Sequence, residues 1–264
     1  MNSISTENLA VAYDKHLVVD NLTMQIPEGK ITSIVGPNGC GKSTMLKAIG
    51  RIMKPRSGMV YINGNDIRTL STREVARKMA ILPQAPQAPK GLTVGELISY
   101  GRFPHQNRRK KLEEEDKKII AWALAVTKLT EYETTVVDNL SGGQRQRVWI
   151  AMALTQQTDL ILLDEPTTYL DLYYQLEVLE LLYRLNRKQG CTIVMVLHDL
   201  NLAARFSDYM IAVRAGQLIH DGVPDEVMNE KVLRETFDID PEIVLDPRTG
   251  RKTCISYNLI KEGS

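Results

Sequence analysis

The sequence predicts an α/β fold with a mainly parallel central sheet, an antiparallel β part at the N-terminus and an inserted α-helical part. Short apolar stretches alternate with helical patterns before residue 84 and again after residue 156. This alternation is typical of a parallel sheet with right-handed crossover connections. Between these regions, residues 85–155 contain a proline-rich loop followed by helical patterns. We therefore expect a single domain that carries its helical part as an insertion.

The N-terminal part begins with two β-rich segments, residues 4–12 and 21–26, which are separated by turn residues and predict antiparallel strands. Residues 31–35 are mostly apolar, as expected for a strand that is buried on both faces. The remaining predictions for this part are a helix that starts over 45–49 and ends at Gly50 or at Lys54-Pro55, a strand over 59–64 with an Asn-Gly turn, a helix over 71–78 capped by Ser71 or Thr72, and a strand over 80–82.

The inserted part begins with a loop over residues 85–91, where the prolines prevent regular structure. Helical patterns follow over 93–100, 113–129 and 145–154. Residues 107–111 form a strongly basic run. Such a run predicts either a solvated loop or a contact with nucleic acid or lipid headgroups.

After the insertion, we predict a strand over 160–163 and a helix over 172–189, which Asp171 caps at its start and Gly190 ends. Further strands are predicted over 192–197, 209–213 and 216–220, with a helix over 200–206. Residues 223–264 show no clear pattern. The predicted organisation is an α/β core (1–84 and 156–222), a helical part (85–155) and a C-terminal extension (223–264).

The composition narrows the functional classes. The net charge of the 264 residues is +1, so the chain as a whole does not attract nucleic acid. The three cysteines are scattered, which suits free thiols in a reducing compartment better than a disulfide framework. The N-terminus lacks the apolar region of a signal peptide, and no apolar run is long enough to cross a bilayer. We therefore expect any role at a membrane to depend on a partner.

Residues 36–44 fit the pattern G-x-x-x-x-G-K-[ST] without a mismatch. A buried strand precedes them and a helix follows, so backbone N–H groups and a helix N-terminus are expected to face a phosphate. Lys42 is expected to contact the β- and γ-phosphates of a nucleoside triphosphate, and the Ser43 hydroxyl to ligate Mg²⁺. A chance match in an ordinary loop is the alternative. The predicted phosphate-binding residues of this P-loop NTPase core are Gly36, Pro37, Asn38, Gly39, Cys40, Gly41, Lys42, Ser43 and Thr44.

Two carboxylates, Asp164 and Glu165, end the apolar strand over 160–163. A carboxylate at the carboxyl end of a strand beside a phosphate loop can hold Mg²⁺, and we assign this role to Asp164. Glu165 is then the expected general base for the attacking water. The alternative is an acidic turn without a chemical role.

Ser141, Gly142, Gly143 and Gln144 open the third helix of the inserted part. Ser141 is a suitable N-cap, whereas two glycines in a first turn weaken a helix. The glycines are explained if an anion must approach the backbone closely. On its own, however, the stretch also fits an ordinary turn.

Taken together, these stretches resemble the nucleotide-binding subunits of ABC (ATP-binding cassette) transporters over residues 1–220. Residues 140–144 match the signature motif of that family without change. The resemblance implies that Tyr13 stacks on adenine and that Gln84 acts in catalysis and at Mg²⁺. It also implies that residues 168–171 form the loop that includes Asp171, a nucleotide-site residue, and that His198 contacts the γ-phosphate. From the residues alone, Tyr13 can equally be a packing residue and His198 a structural histidine.

The resemblance also implies a head-to-tail homodimer that binds each ATP between the phosphate loop of one subunit and Ser141–Gln144 of the other. Integral-membrane permease subunits are the implied partners, with residues 85–105 as the docking surface and Gln84 as the sensor. An extracytoplasmic substrate-binding protein is implied indirectly, and no nucleic acid is expected. The implied location is peripheral, at the cytoplasmic face of the inner membrane.

Two features narrow the resemblance further. Tyr169 is bulky for its loop, and residues 101–105 read Gly-Arg-Phe-Pro-His. Both resemble the importer ATPases for iron–siderophore complexes, haem and cobalamin, so we expect import of an iron(III)-siderophore-type chelate. The alternative is a soluble ABC ATPase that acts on nucleic acid, the ribosome or cofactor assembly. A P-loop kinase or GTPase is a third possibility, but it leaves the Ser141 motif unexplained.

Overall fold

The computed structural model describes residues 2–106 and 111–260. Four residues of the basic run, 107–110, therefore lie outside the described residues. The chain divides into two compact units, of which the first consists of Met1–Thr69 and Thr192–Ser264 and the second of Leu70–Cys191. Among the described residues, no helix has the length and apolar character that a membrane span requires.

The strands are β1 (Asn2–Tyr13), β2 (His16–Pro27), β3 (Ile31–Val35), β4 (Ser57–Ile62), β5 (Asn65–Asp66), β6 (Met79–Leu82), β7 (Leu160–Asp164), β8 (Thr192–Val196), β9 (Tyr209–Arg214), β10 (Gln217–Gly222), β11 (Ile239–Leu245) and β12 (Lys252–Leu259). The α-helices are α1 (Lys42–Ile49), α2 (Thr72–Lys78), α3 (Val94–Ser99), α4 (Glu114–Val126), α5 (Gly142–Thr155), α6 (Leu172–Gln189), α7 (Leu200–Phe206), α8 (Pro224–Val227) and α9 (Glu230–Phe237). Short 3₁₀ turns follow α3 and precede α5.

The first unit contains the predicted antiparallel sheet, in the order β2-β1-β4-β5. The β1–β2 register shifts where Asn8 and Asn21 adopt left-handed backbone angles, with φ of 46° and 49°. Asparagine tolerates this conformation better than most residues, so it accommodates the bulges without a glycine. The sheet confirms the expected antiparallel part.

Parallel pairing also occurs in the first unit, as predicted. Strand β3 pairs in parallel with both β8 and β9, and β10 adds to β9 as an antiparallel edge. Every residue of β3 and β8 is buried, and both strands are mostly apolar, as expected for strands that are covered on both faces. The carboxyl ends of β3 and β8 lie at one edge of the sheet, because the pairing is parallel.

The second unit contains the parallel pair β6–β7 and the helices α2 to α6. Local sequence signals are used as expected: Ser71 caps α2 in a capping box with Glu74, and Asp171 caps α6. Helix α6 ends at Gly190, which adopts a left-handed conformation with φ of 69°.

The helix predicted over 113–129 is shorter than expected, because α4 ends at Val126. Lys128 adopts a left-handed φ of 57°, and the Leu129 N–H donates to the Leu124 carbonyl at 2.8 Å. This is the hydrogen-bonding pattern of a Schellman cap. The position is usually glycine, so a lysine there gave no signal in the sequence.

The C-terminal extension, for which the sequence gave no clear pattern, forms α8, α9 and the antiparallel hairpin β11–β12. The Asn201 side chain on α7 fixes the hairpin through two hydrogen bonds. Its amide donates to the Cys254 carbonyl at 3.0 Å, and its carbonyl accepts from the Cys254 N–H at 2.9 Å. Arg214 on β9 donates to the Asp238 carboxylate at the start of the hairpin. The extension is therefore an integral part of the first unit.

Candidate functional site

The phosphate loop connects β3 to α1 through a tight turn. Gly41 caps α1 with a left-handed φ of 102°, and a Cβ at this position would lie 3.0 Å from the Val18 carbonyl oxygen. A Cβ at Gly36 would lie only 2.1 Å from the carbonyl oxygen of Val213. Only glycine fits at these two positions, so the loop is held close to the adjacent strands β2 and β9.

Lys42 lies at the first position of α1 and is 5 % exposed. Its ammonium donates to the carbonyl oxygens of Gly36 and Pro37, both at 2.8 Å. The loop thus wraps around the lysine. As at any helix N-terminus, the first N–H groups of α1 point out of the helix along its axis. Within the same loop, burial raises the pKa of the Cys40 thiol, although the nearby Lys42 charge opposes the shift. Cys40 is therefore a protonated, buried thiol at neutral pH.

Two further predicted residues of the first unit, His198 and Tyr13, lie at or just beyond the ends of strands. The Leu197 N–H donates to the Ile34 carbonyl at 3.2 Å, so His198 leaves β8 at the sheet edge where β3 enters the loop. His198 is exposed, and the following Asp199 caps α7. Tyr13 ends β1 opposite His16 and is 48 % exposed. Both side chains are accessible to a ligand.

In the second unit, the fully buried strand β7 ends at Asp164 and Glu165 follows it; the two residues are 3 % and 9 % exposed. Asp164 is the last strand residue, whereas Glu165 turns into a left-handed conformation with φ of 53°. The two carboxylates therefore differ in backbone conformation, in agreement with separate tasks.

Glu165 Oε2 accepts two hydrogen bonds from this unit. The Gln84 side-chain amide donates at 2.5 Å and the Thr168 hydroxyl at 2.8 Å. Strand β6 ends at Leu82, and Gln84 lies two residues further along the chain. Strand β6 pairs with β7, which ends next to Glu165. The structure thus brings together two predicted site residues, Gln84 and Glu165, and adds Thr168. The sequence analysis placed Thr168 in the loop over 168–171 without giving it a role, although its position three residues after Glu165 in a turn could have indicated the contact.

The signature stretch begins α5 as predicted. Ser141 caps the helix: its hydroxyl accepts from the Gln144 N–H at 3.3 Å, and the Gln144 side chain accepts from the Ser141 N–H at 2.9 Å. The two glycines differ. A Cβ at Gly143 would lie 2.9 Å from the Tyr174 ring of α6, whereas a Cβ at Gly142 would meet nothing within 4 Å. Gly143 is thus required for packing within the unit, and only Gly142 leaves the helix start open.

Asp171 has a structural role in the chain itself, because its carboxylate accepts from the Tyr174 N–H at 3.1 Å and caps α6. Tyr174 therefore links Asp171 to Gly143. No feature of the sequence indicated this contact, since the two segments are 31 positions apart and meet only in the folded chain.

The segment that was expected to dock on a partner is firmly held. Arg102 donates to the Asp116 carboxylate at 2.7 Å and to the Thr155 carbonyl at 2.8 Å, and both partners of this ion pair are buried. Phe103 stacks on Tyr100 with ring centroids 4.9 Å apart and remains 55 % exposed. Leu92 is only partly exposed. An aromatic side chain is thus presented to solvent on a rigid support.

Comparison with known proteins identifies the family. The family model described as "ABC transporter" matches residues 19–168. The iron(3+)-hydroxamate import ATP-binding protein FhuC of Bacillus subtilis (strain 168) is 58 % identical and covers 99 % of this chain and 97 % of its own length. The ferric enterobactin transport ATP-binding protein FepC of Escherichia coli (strain K12) is 43 % identical, over 92 % of this chain and 90 % of its own.

Solved structures agree with this result. The dimeric structure of MJ0796, a bacterial ABC transporter cassette, superposes with a TM-score of 0.75 at 31 % identity, covering 84 % of this chain and 98 % of its own. The predicted P-loop NTPase fold is thereby confirmed. Together with the intact phosphate loop and signature stretch, these similarities show that the chain belongs to the ABC transporter family, as an ATP-hydrolysing subunit coupled to transport.

Proposed function

We propose that this ATPase powers the import of an iron(III)-siderophore-type chelate, with a hydroxamate chelate as the first candidate. The observation that carries the proposal is the 58 % identity, across 99 % of the chain, to a protein named for iron(3+)-hydroxamate import. Relatives at 48 % and 43 % identity are named for a probable siderophore transport system and for ferric enterobactin transport. The chelate itself contacts other subunits, so its identity is not encoded in the residues of the ATPase.

The phosphate loop binds the ATP phosphates in this proposal. Residues 36–44 supply backbone N–H groups, and the Lys42 ammonium exchanges its two carbonyl partners for the β- and γ-phosphates. Tyr13 stacks on the adenine and His198 contacts the γ-phosphate; the exposure of both side chains supports these roles. The Cys40 thiol is protonated and contributes its backbone to the loop rather than a charge.

The oxygen atoms of Ser43, Gln84 and Asp164 fit Mg²⁺, which prefers hard oxygen ligands. When bound, Mg²⁺ neutralises charge on the β- and γ-phosphates. Glu165 is the general base: its carboxylate accepts a proton from the attacking water, a contribution of roughly 10²–10⁴-fold to the rate. Its near-complete burial and its two hydrogen bonds support this role, because they hold the carboxylate in one orientation.

Two copies of the chain act together in this proposal. Each ATP lies between the phosphate loop of one copy and the signature stretch, residues 141–144, of the other, arranged head to tail. Three features support the arrangement: the open helix start at Gly142, the capped and therefore rigid Ser141, and the dimeric relative MJ0796. A two-fold axis uses both sites at once.

The dimer docks on integral-membrane permease subunits through residues 85–105, at the cytoplasmic face of the inner membrane. The exposed Phe103, held by the Arg102–Asp116 ion pair, supports this surface. Gln84 precedes it directly, so a displacement of the surface reaches Glu165 through one hydrogen bond. An extracytoplasmic substrate-binding protein delivers the chelate to the permease. No observation favours the alternative of an ATPase for nucleic acid, the ribosome or cofactor assembly.

Uptake of a radiolabelled iron(III)-trihydroxamate by cells lacking this chain tests the proposal. We expect the deletion to abolish uptake, the wild-type chain to restore it, and Lys42→Ala, made at the same level, to leave it absent. Uptake of an unrelated substrate, such as an amino acid, serves as the control. Uptake of all tested siderophore classes that is unchanged by the deletion would contradict the proposal.

A further inference from the structure

The hydroxyl of Thr168 contacts the carboxylate of Glu165. Thr168 Oγ1 donates to Glu165 Oε2 at 2.8 Å, and the same oxygen accepts from the Gln84 amide at 2.5 Å. The carboxylate is 9 % exposed, so water competes little for these bonds. A hydrogen bond to a charged acceptor in such a place is among the stronger ones in a protein.

The backbone holds Thr168 in place independently of its side chain. The Thr168 N–H donates to the Glu165 carbonyl at 3.3 Å, and the Leu170 N–H donates to the Thr167 carbonyl at 3.3 Å. Left-handed residues lie at the start and near the end of these successive turns, with φ of 53° at Glu165 and 64° at Tyr169. Thr168 and Glu165 therefore belong to one closed turn, and the hydroxyl is carried on the same backbone unit as the carboxylate.

The second donor to this oxygen has a different support. Gln84 is exposed and precedes the irregular, proline-rich residues 85–91. Gln84 and Glu165 are 81 positions apart in the sequence, whereas Thr168 and Glu165 are three positions apart. Movement of the loop that carries Gln84 would break the first bond and leave the second intact, because Thr168 shares a turn with Glu165.

We propose that Thr168 is a positioning residue for hydrolysis, whose hydroxyl keeps the Glu165 carboxylate oriented when Gln84 leaves it. The inference rests on the proposed role of Glu165 as general base. A glutamate side chain has three rotatable bonds, and a base must meet the attacking water within hydrogen-bonding distance. With Gln84 engaged elsewhere, the Thr168 hydroxyl continues to restrict this rotation.

The matched variants are Thr168→Val, which keeps the shape and removes the hydroxyl, and Thr168→Ser, which keeps the hydroxyl. We expect Thr168→Val to lower kcat for ATP hydrolysis about tenfold with an unchanged KM for ATP, because orientation of the base affects the chemical step and not ATP binding. Thr168→Ser is expected to remain within about twofold of wild type.

Glu165→Gln, measured in parallel, distinguishes a failure of the Thr168 inference from a failure of the assignment of Glu165 as general base. If Glu165→Gln is inactive and Thr168→Val has wild-type kcat, the inference about Thr168 is overturned while the base assignment stands. If Glu165→Gln hydrolyses ATP at near wild-type rate, the base assignment falls and this inference with it. Should Thr168→Val lower the melting temperature, Thr168→Ala replaces it, and equal kcat for the Ala and Ser variants overturns the inference.

Discussion

The side-chain amide of Gln84 donates a hydrogen bond to the carboxylate of Glu165, with 2.5 Å between nitrogen and oxygen. The two residues follow adjacent parallel strands, β6 and β7, which bring them to the same sheet edge. Gln84 also begins the segment that leads to the proposed docking surface. A single hydrogen bond thus joins that segment to the proposed general base. Through this bond, a displacement of the docking surface would change the position of the Glu165 carboxylate.

This contact predicts different effects for two substitutions of Gln84. Gln84→Ala should lower ATP hydrolysis by less than about tenfold, because the Thr168 hydroxyl still contacts Glu165. Gln84→Glu should be more damaging, since it places a second carboxylate against the first and like charges at this distance disfavour joint ionisation. Steady-state ATPase rates of the two purified variants check the order. Equal rates for Gln84→Glu and wild type would show that the contact does not matter for hydrolysis.

The exposed Phe103 provides a test of the docking surface. Phe103→Asp should leave the ATPase activity of the isolated subunit within about twofold of wild type, since the side chain projects to solvent. Iron-chelate uptake by cells carrying the variant should fail, because a charge replaces an apolar contact with the permease.

The matched control is Tyr183→Asp, at another partly exposed aromatic position of the same unit. It should retain uptake if the docking surface is specific. Full uptake by cells carrying Phe103→Asp would show that the docking surface does not include Phe103.

The two signature glycines should respond differently to alanine. Gly143→Ala places a Cβ against the Tyr174 ring and should lower the melting temperature. Gly142→Ala meets no atom of its own chain and improves helix propensity, so its melting temperature should be equal or higher. Its ATPase activity should nevertheless fall at least tenfold, because the methyl group blocks the approach of ATP bound to the other copy.

Thermal unfolding and ATPase rates check this pair of substitutions. The double variant Gly143→Ala, Tyr174→Ala should recover part of the stability that Gly143→Ala loses. Gly142→Ala with full activity would indicate that nothing approaches this helix start closely.

The buried pair of Arg102 and Asp116 predicts a pH dependence of stability. Burial alone would raise the pKa of Asp116, but a backbone hydrogen bond from Glu113 and the Arg102 charge lower it below its usual value. Its stabilising contribution is therefore fully present above the unfolded-state pKa and is lost as the pH falls through the folded-state pKa.

Arg102→Met leaves the buried carboxylate unpaired and should cost about 3 kcal/mol of unfolding free energy at neutral pH. Without Arg102, protonation relieves the unpaired carboxylate, so the stability difference between the variant and wild type should shrink as the pH falls. Urea unfolding between about pH 3 and pH 7 measures both effects. Arg184→Met, which removes an exposed pair with Glu180, should change stability little and serves as the control. A similar small loss for Arg102→Met would contradict the assigned importance of the buried pair.

Much of the fold follows from local signals in the sequence. Ser71 with Glu74, the Asn63-Gly64 turn and Gly190 each act within a few residues, so the sequence alone indicates where these elements begin or end. The end of α4 was predicted three residues too late, because Lys128 adopts the left-handed conformation that glycine usually marks.

The contacts that were not predicted depend on the tertiary fold. Tyr174 packs on Gly143 and Asn201 fixes Cys254 across long separations in sequence, and no periodicity or spacing encodes such a pair. The hairpin β11–β12 escaped prediction because Pro241 and acidic residues interrupt the pattern of β11, and β12 keeps apolar side chains exposed. The site motifs, in contrast, could be predicted from the sequence, because a backbone that surrounds a phosphate requires particular residue types at fixed spacing.

The central claim is that Glu165 acts as the base for hydrolysis of ATP held between two copies of the chain. Glu165→Gln keeps the size of the side chain and one acceptor oxygen, but its amide cannot accept the proton. The most direct measurement is size-exclusion chromatography of this variant with ATP, together with its rate of phosphate release. The account predicts an ATP-dependent dimer and at least a 100-fold loss of turnover. A variant that remains monomeric with saturating ATP, or that releases phosphate at the wild-type rate, would contradict it.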